Sequence, residues 1–310
     1  MKRMSKEVVV VGGGAAGMMA AITAAEQGAQ VRLLEPNERL GKKLNITGKG
    51  RCNVTNNCPV EELMAHIPRN GRFLYSALTR FTSADAMAFF EGLGVPLKTE
   101  RGNRVFPQSD IAFDVSGALK RRMEKLGVRW EHDRATAVMT EDGAVSAVKG
   151  EKGTYPAQAV ILATGGVSYP GTGSTGDGYR MAAELGHTIV EPRGSLVPLV
   201  SDDACCGQMQ GLALKNVQVR IRDGKKLLYD EFGEMLFTHF GVSGPLILSA
   251  SAAIKPGRVE KELAMEIDLK PALTEEQLDA RRLREFEEAK NKQFKNAVVH
   301  LFPAKMIPVM

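Results

Sequence analysis

The sequence predicts an α/β fold built on a parallel sheet, and three stretches carry that prediction. Val8 to Val11 is a β-branched run that passes directly into Gly12-Gly13-Gly14-Ala15-Ala16-Gly17, and an alanine-rich segment continues to Gln27 and stops at Gly28. A second apolar run, Val31 to Leu34, ends in Glu35. Far downstream, Val160 to Ala163 is a third such run, closing on Thr164-Gly165-Gly166. Strand, tight turn, helix, strand and acid, in that order, make a unit that grips a dinucleotide. Gly12 permits the turn, Gly14 lets the backbone approach a pyrophosphate, and Gly17 lets helix and strand pack closely. Through Ala15 and Ala16 the turn opens a helix whose free N–H groups and positive dipole end favour phosphate. Glu35 is placed to accept hydrogen bonds from the adenosine ribose.

At 310 residues the chain suggests about two domains, each with its own core. Its 44% hydrophobic and 25% charged residues are ordinary for a globular protein. No apolar run approaches the roughly 18 residues that span a bilayer. The opening Met1-Lys-Arg-Met-Ser-Lys6 leads straight into the first strand and leaves no space for a signal peptide. A cytoplasmic location with no membrane partner is therefore expected. Cys52, Cys58, Cys205 and Cys206 show no Cys-x-x-Cys spacing, and no histidine pair shows His-x-x-x-His spacing, so no metal is expected. The net charge of +5 suits an anionic cofactor but forms no basic arm, so no nucleic-acid partner is expected.

After Glu35 the chain is polar and glycine-rich as far as Asn56, with Arg39, Lys42, Lys43, Lys49 and Arg51 along it. Such a loop is expected not to pack as core; it either wraps a large anionic ligand or lies solvated on the surface. Residues 60–127 read as mainly helical. Asp85 to Phe90 is apolar on one side and ends before Gly92. Asp114 is expected to cap a helix carrying Val115, Leu119, Met123 and Leu126 on one face, closed by Gly127. Arg101 to Ser109 reads as strand and loop.

Val128 to Val148 reads as three short strands with turns at His132-Asp133 and Asp142-Gly143. An antiparallel meander that returns to a parallel sheet at Val160 is longer than a nicotinamide-only half requires, and it points to FAD. The strand near Ala137 would then offer backbone hydrogen bonds to the adenine. Ala163, Thr164 and Gly165 are small enough for the backbone to lie against the cofactor. In Gly171 to Gly178, Asp177 stands where a phosphate-binding loop needs lysine. That excludes nucleotide hydrolysis, and Asp177 is expected to cap the helix that follows.

From about Pro192 the pattern turns to strands. Val217, Val219 and Ile221 alternate, Asp223-Gly224 turns the chain, and Leu227 to Tyr229 returns. Gly241-Val-Ser-Gly-Pro245 lacks the last glycine of a nucleophile elbow, and Pro245 instead suits the first turn of a helix through Ala252. Thr274 with Gln277 forms a capping box for a charged helix. Phe294, Ala297, Val298 and Leu301 mark another amphipathic helix. His239, beside a glycine-rich turn, is the one acid–base candidate. Cys52, next to Arg51, is expected to have a lowered pKa and to pack beside the cofactor.

Several segments together resemble the BaiN/YhiN-like bacterial flavoproteins across nearly the whole chain. They are Gly12-Gly-Gly-Ala-Ala-Gly17, Leu40-Gly-Lys-Lys-Leu44, Thr47-Gly-Lys-Gly-Arg-Cys-Asn-Val-Thr-Asn56, Ala163-Thr-Gly-Gly166, Thr172-Gly-Ser-Thr-Gly-Asp-Gly178 and Leu236-Phe-Thr-His-Phe-Gly-Val-Ser-Gly-Pro245. The resemblance implies a Rossmann-like FAD-binding domain over residues 1–190, with a helical insertion at about 60–127 and a three-stranded β-meander. A β-barrel-like and then helical module over 191–310 is inserted before the chain returns to the FAD fold. It implies non-covalent FAD, with Lys43, Gly48, Arg51, Cys52 and Asn53 wrapped around it. It also implies an NAD(P)/FAD-dependent oxidoreductase, one branch of which reduces conjugated double bonds in 3-oxo bile acids. NAD(P)H would be a transient donor and an enone-like small molecule the acceptor. The family closes its FAD site with a late Gly-Glu…Asp-Gly-Tyr-Thr-Gly-Gly segment. This chain reaches Met310 without it, so poor FAD binding, or none, is expected. The alternatives are a flavin-dependent RNA-modifying enzyme, a non-enzymatic flavin-binding redox sensor, and a plain NAD-binding protein.

Overall fold

The computed structural model describes residues 6–255, 257 and 262–310. The opening Met1–Ser5 stretch lies outside them. The chain divides into two compact units, Met1–Pro192 and Arg193–Met310.

The first unit begins with β1 (Glu7–Val11), α1 (Ala15–Glu26) and β2 (Gln30–Leu34). A kinked 3-10 stretch, Leu44–Gly50, precedes β3 (Thr55–Asn56), α2 (Val60–Ala65), α3 (Gly71–Arg80) and α4 (Ser83–Gly92). Then come β4 (Leu97–Glu100), β5 (Arg104–Pro107), α5 (Ala112–Lys125) and β6 (Arg129–Glu131). The unit finishes with β7 (Ala135–Glu141), β8 (Ala144–Gly150), β9 (Thr154–Pro156), β10 (Ala159–Leu162) and α6 (Asp177–Glu184).

A parallel sheet of order β10-β1-β2-β6 organises this unit, with Val8 opposite both Ala159 and Val31, and Leu33 opposite Trp130. The four-valine run of β1 is buried on both faces, which is why it shows no polar alternation. Val8 and Val10 pack with Met18, Ile22, Leu119 and Met123 of α1 and α5. Val9 and Val11 point the other way, onto Ala135, Val148 and Met181.

Several expectations need correction. The meander is β7-β8-β9, not the strands of 128–148, because Arg129–Glu131 pairs in parallel with β2. Asp133 is therefore not a hairpin turn. Its carboxylate, 2% exposed, pins the meander by accepting from the N–H groups of Glu151 and Lys152 and from the Tyr155 hydroxyl at 2.7 Å. The 60–127 region holds helices, but β4 and β5 within it pair with β3 as an antiparallel sheet. Helix α5 is capped at Ile111, leaving Asp114 in its first turn. Helix α6 is capped at Gly176; Asp177 instead pairs with Arg134 at 3.0 Å. The 36–56 loop is not all solvated, since Leu40, Leu44 and Cys52 are buried in the core.

The second unit contains β11 (Leu199–Val200), α7 (Cys205–Gln208), β12 (Ala213–Asp223), β13 (Lys226–Thr238), β14 (Gly241–Ser243), α8 (Pro245–Ala253), β15 (Ala264–Asp268), α9 (Glu275–Glu288) and α10 (Phe294–Ala297). Its sheet is antiparallel, of order β11-β14-β13-β12-β15. The alternating Val217, Val219 and Ile221 face Met235, Phe237 and Ile247 in its core. Thr274 and Gln277 make both bonds of the capping box on α9. The last amphipathic stretch is helical only to Ala297. Among the described residues, no helix is long and apolar enough to cross a membrane.

Candidate cofactor site

The glycine turn between β1 and α1 is forced by contact. Gly12 has φ +105°, and a Cβ there would lie 2.5 Å from the carbonyl oxygen of Ala163, the residue just after β10. A Cβ on Gly17 would collide with the Gly12 carbonyl oxygen, so helix and turn touch backbone to backbone. Gly14, the N-cap of α1, is different: a Cβ there would meet nothing within 4 Å. No side chain caps α1, and its first turn carries no acid. The helix thus presents N–H groups without a side-chain cap, at its positive dipole end, to the space they line.

That space is a cavity of about 590 Å³, within the usual size range for cofactor sites. Of the residues expected to bind the cofactor, Gly12, Gly14, Ala15, Ala16, Glu35, Lys43, Cys52, Asn53, Ala163, Thr164 and Gly165 line it. Gly17 lies beneath the turn. Gly48, Arg51 and Ala137 are not on its wall. Ala135, two residues before Ala137, lines it together with Arg134. Gly48 abuts the Phe106 ring. His239 belongs to the second unit, its ring edge-on to Phe240 at 4.8 Å.

Glu35 is 7% exposed and held from three sides. Its Oε2 accepts from the Gly13 N–H at 2.6 Å, and its Oε1 accepts from the Asn37 backbone N–H at 2.8 Å and from Asn37 Nδ2 at 2.6 Å. An ionised carboxylate offers about four acceptor positions, so capacity for a ribose hydroxyl remains. Asn37 Nδ2 also donates to the Thr172 carbonyl at 3.1 Å, and Lys43 Nζ donates to the Ser168 carbonyl at 2.7 Å. Both bonds tie the loop after β2 to the loop after β10. Asn37 was not singled out from sequence; its one signal is an amide two residues beyond the acid, where it can fold back on it.

The thiol of Cys52 is the reverse of what its neighbour suggested. Burial pushes its pKa up, outweighing a hydrogen bond with Thr47, and the side chain is 4% exposed. The Arg51 charge does not reach it, because the guanidinium is engaged with Glu100 and Asp110. Cys52 is therefore a buried wall residue whose thiol is shifted away from the thiolate form, not toward it.

A parallel βαβ unit with an uncapped helix N-terminus, a buried acid after the second strand and an antiparallel meander on one face defines a nucleotide-cofactor Rossmann fold. Residues 6–255 match the HI0933-like protein Rossmann domain, and the chain belongs to that family of flavoprotein oxidoreductases with a Rossmann FAD-binding fold. It is 31% identical over 296 residues to the 3-dehydro-bile acid delta(4,6)-reductase of Clostridium scindens, covering 94% of this chain and 71% of that protein. It is 28% identical over 309 residues to the ribosomal RNA dihydrouridine synthase of Haemophilus influenzae, covering 97% of this chain and 73% of the relative. The Escherichia coli protein of the same name is 29% identical over 273 residues, and the chain spans 66% of its length. Among solved structures, the open conformation of a flavocytochrome c3 fumarate reductase superposes with a TM-score of 0.49 at 22% identity, over 69% of this chain and 47% of that one.

Proposed function

We propose that this chain acts with FAD to transfer electrons from NADH or NADPH to a carbon–carbon double bond conjugated to a carbonyl in a small molecule. One arrangement carries this reading: the uncapped α1 N-terminus and the carboxylate of Glu35 open on the same cavity. The fit to FAD is chemical. Backbone N–H groups at Gly14 to Ala16 suit a pyrophosphate, Glu35 suits ribose hydroxyls, and Arg134 and Ala135, which line the same cavity, would hold the adenine. When bound, FAD supplies a hydride donor at its flavin ring. Cys52, Asn53, Thr164, Gly165 and Lys43 line the same cavity and would hold the rest of the cofactor. A cytoplasmic site of action belongs to the same proposal.

Saturation of a ring double bond is common to a delta(4,6)-reductase and to making dihydrouridine from uridine. The second of these names stands against the expectation of no nucleic-acid partner, so an RNA uridine is the alternative acceptor. Anaerobic titration of the FAD-loaded chain with NADH and NADPH, followed by a 3-oxo-Δ4 steroid or ribosomal RNA, tests both. Bleaching of the flavin by a nicotinamide and its return with the steroid support the first reading. Return only with RNA, weakened steeply by salt, supports the second. Failure of both nicotinamides to bleach the flavin contradicts the proposed donor.

A further inference from the structure

The Thr47-Gly-Lys-Gly-Arg-Cys-Asn53 segment brings Cys52 and Asn53 to the cavity wall, yet its arginine faces elsewhere. Arg51 Nη1 donates to Glu100 Oε1 at 2.9 Å and to Asp110 Oδ1 at 3.3 Å, and Nη2 donates to Glu100 Oε2 at 3.3 Å. Its guanidinium carbon lies 3.9 Å from the centroid of the buried Phe106 ring. Lys98 closes the cluster, with Nζ 2.6 Å from Asp110 Oδ2. These partners sit on β4, on β5 and in the turn before α5, outside the β1-α1-β2 unit.

The segment they hold is unfavourable by itself. Cys52 has φ +60° and Lys49 has φ +60°, in the left-handed region that side chains avoid. Such a conformation persists where surrounding contacts over-determine it. Asn53 supplies a second anchor, its Nδ2 donating to the Thr55 and Val105 carbonyls at 2.9 and 3.0 Å. We propose that Arg51 is a positioning residue: by locking onto Glu100, Asp110 and Phe106 it fixes the Cys52–Asn53 wall against which FAD lies, without touching the cofactor itself. This rests on the reading of the cavity as the FAD site. The lock is a fork and a flat face as much as a charge, so lysine reproduces it only in part.

The test compares the chain with its R51M and R51K variants. Iodoacetamide labelling, mapped by peptide mass, follows Cys52 against Cys205 and Cys206 of the second unit, and fluorescence titration gives the FAD dissociation constant. Loss of charge-assisted hydrogen bonds predicts Cys52 labelling faster by about tenfold in R51M, and FAD binding about tenfold weaker. The visible absorption band of the flavin that still binds shifts, Cys205 and Cys206 label at unchanged rates, and R51K falls between. Unchanged Cys52 labelling overturns the proposal. So does a released Cys52 with wild-type FAD affinity, or a rise in all three cysteines together, which reports general unfolding. If the unmodified chain binds no FAD, the cofactor reading fails by itself, and the labelling comparison still upholds or overturns Arg51 as the lock on this wall.

Discussion

The backbone N–H of Gly13 meets the carboxylate of Glu35 at 2.6 Å, joining the glycine turn after β1 to the acid after β2. The bond fixes the acid that faces the cavity, so turn and acid act as one device. Replacing Glu35 with alanine leaves a buried N–H without its acceptor, at a cost of roughly 1–3 kcal/mol to stability. FAD affinity is expected to fall by about tenfold or more as the ribose partner is lost. Thermal melts of the apoprotein and FAD titrations separate the two effects.

Gly14 and Gly17 make opposite predictions from the same helix turn. Gly17→Ala places a methyl against the Gly12 carbonyl and is expected to destabilise the fold by about 1–3 kcal/mol. Gly14→Ala places its methyl in open space, so stability changes by about 1 kcal/mol or less. On the proposed cofactor placement the methyl would stand in the way of the pyrophosphate, so FAD affinity is expected to fall while the melt stays near wild type. A Gly14→Ala variant that binds FAD normally contradicts the proposed phosphate position.

Asp133 gives the meander a pH dependence. Burial works to raise its pKa, but the Tyr155 hydroxyl and the N–H groups of Lys152, Arg134 and Glu151 outweigh it and hold the carboxyl below its ordinary value. A depressed folded-state pKa means the stabilisation is present above the unfolded carboxylate pKa, about 3.9. It is lost as pH falls through the lower folded value. Tyr155 has the opposite sign: burial and the Asp133 bond push it up to about 12, so its contribution is lost only as pH rises through that value. Asp133→Asn is expected to cost about 1–3 kcal/mol at pH 7, with the gap to wild type narrowing in acid. Urea melts at both pH values check this; a gap that stays constant would speak against the ionised form.

How much was legible follows how far apart the partners lie in sequence. The glycine turn, Glu35 and the strands about them could be read because their residue pattern falls within one βαβ unit, even though Gly12 packs against the distant Ala163. The capping box at Thr274 was legible for the same reason. Arg51 was not: its partner Glu100 is 49 residues away and Asp110 is 59 away, and nothing local distinguishes a cation facing a ligand from one facing a distant acid. Asp177 reads as a cap in the sequence because its partner Arg134 comes from another element, 43 residues off. The 128–131 strand was assigned to the meander because three residues pair equally well with either sheet; the tertiary fold decides.

The central claim is that the Gly12–Gly17 turn and Glu35 together grip FAD. Fluorescence titration of FAD into the apoprotein, repeated with excess ADP and with Gly14→Val, tests it most directly. Saturation at one FAD per chain, competition by ADP and loss of binding in the valine variant are the predicted results. Equal binding by wild type and Gly14→Val, or none by either, would contradict it.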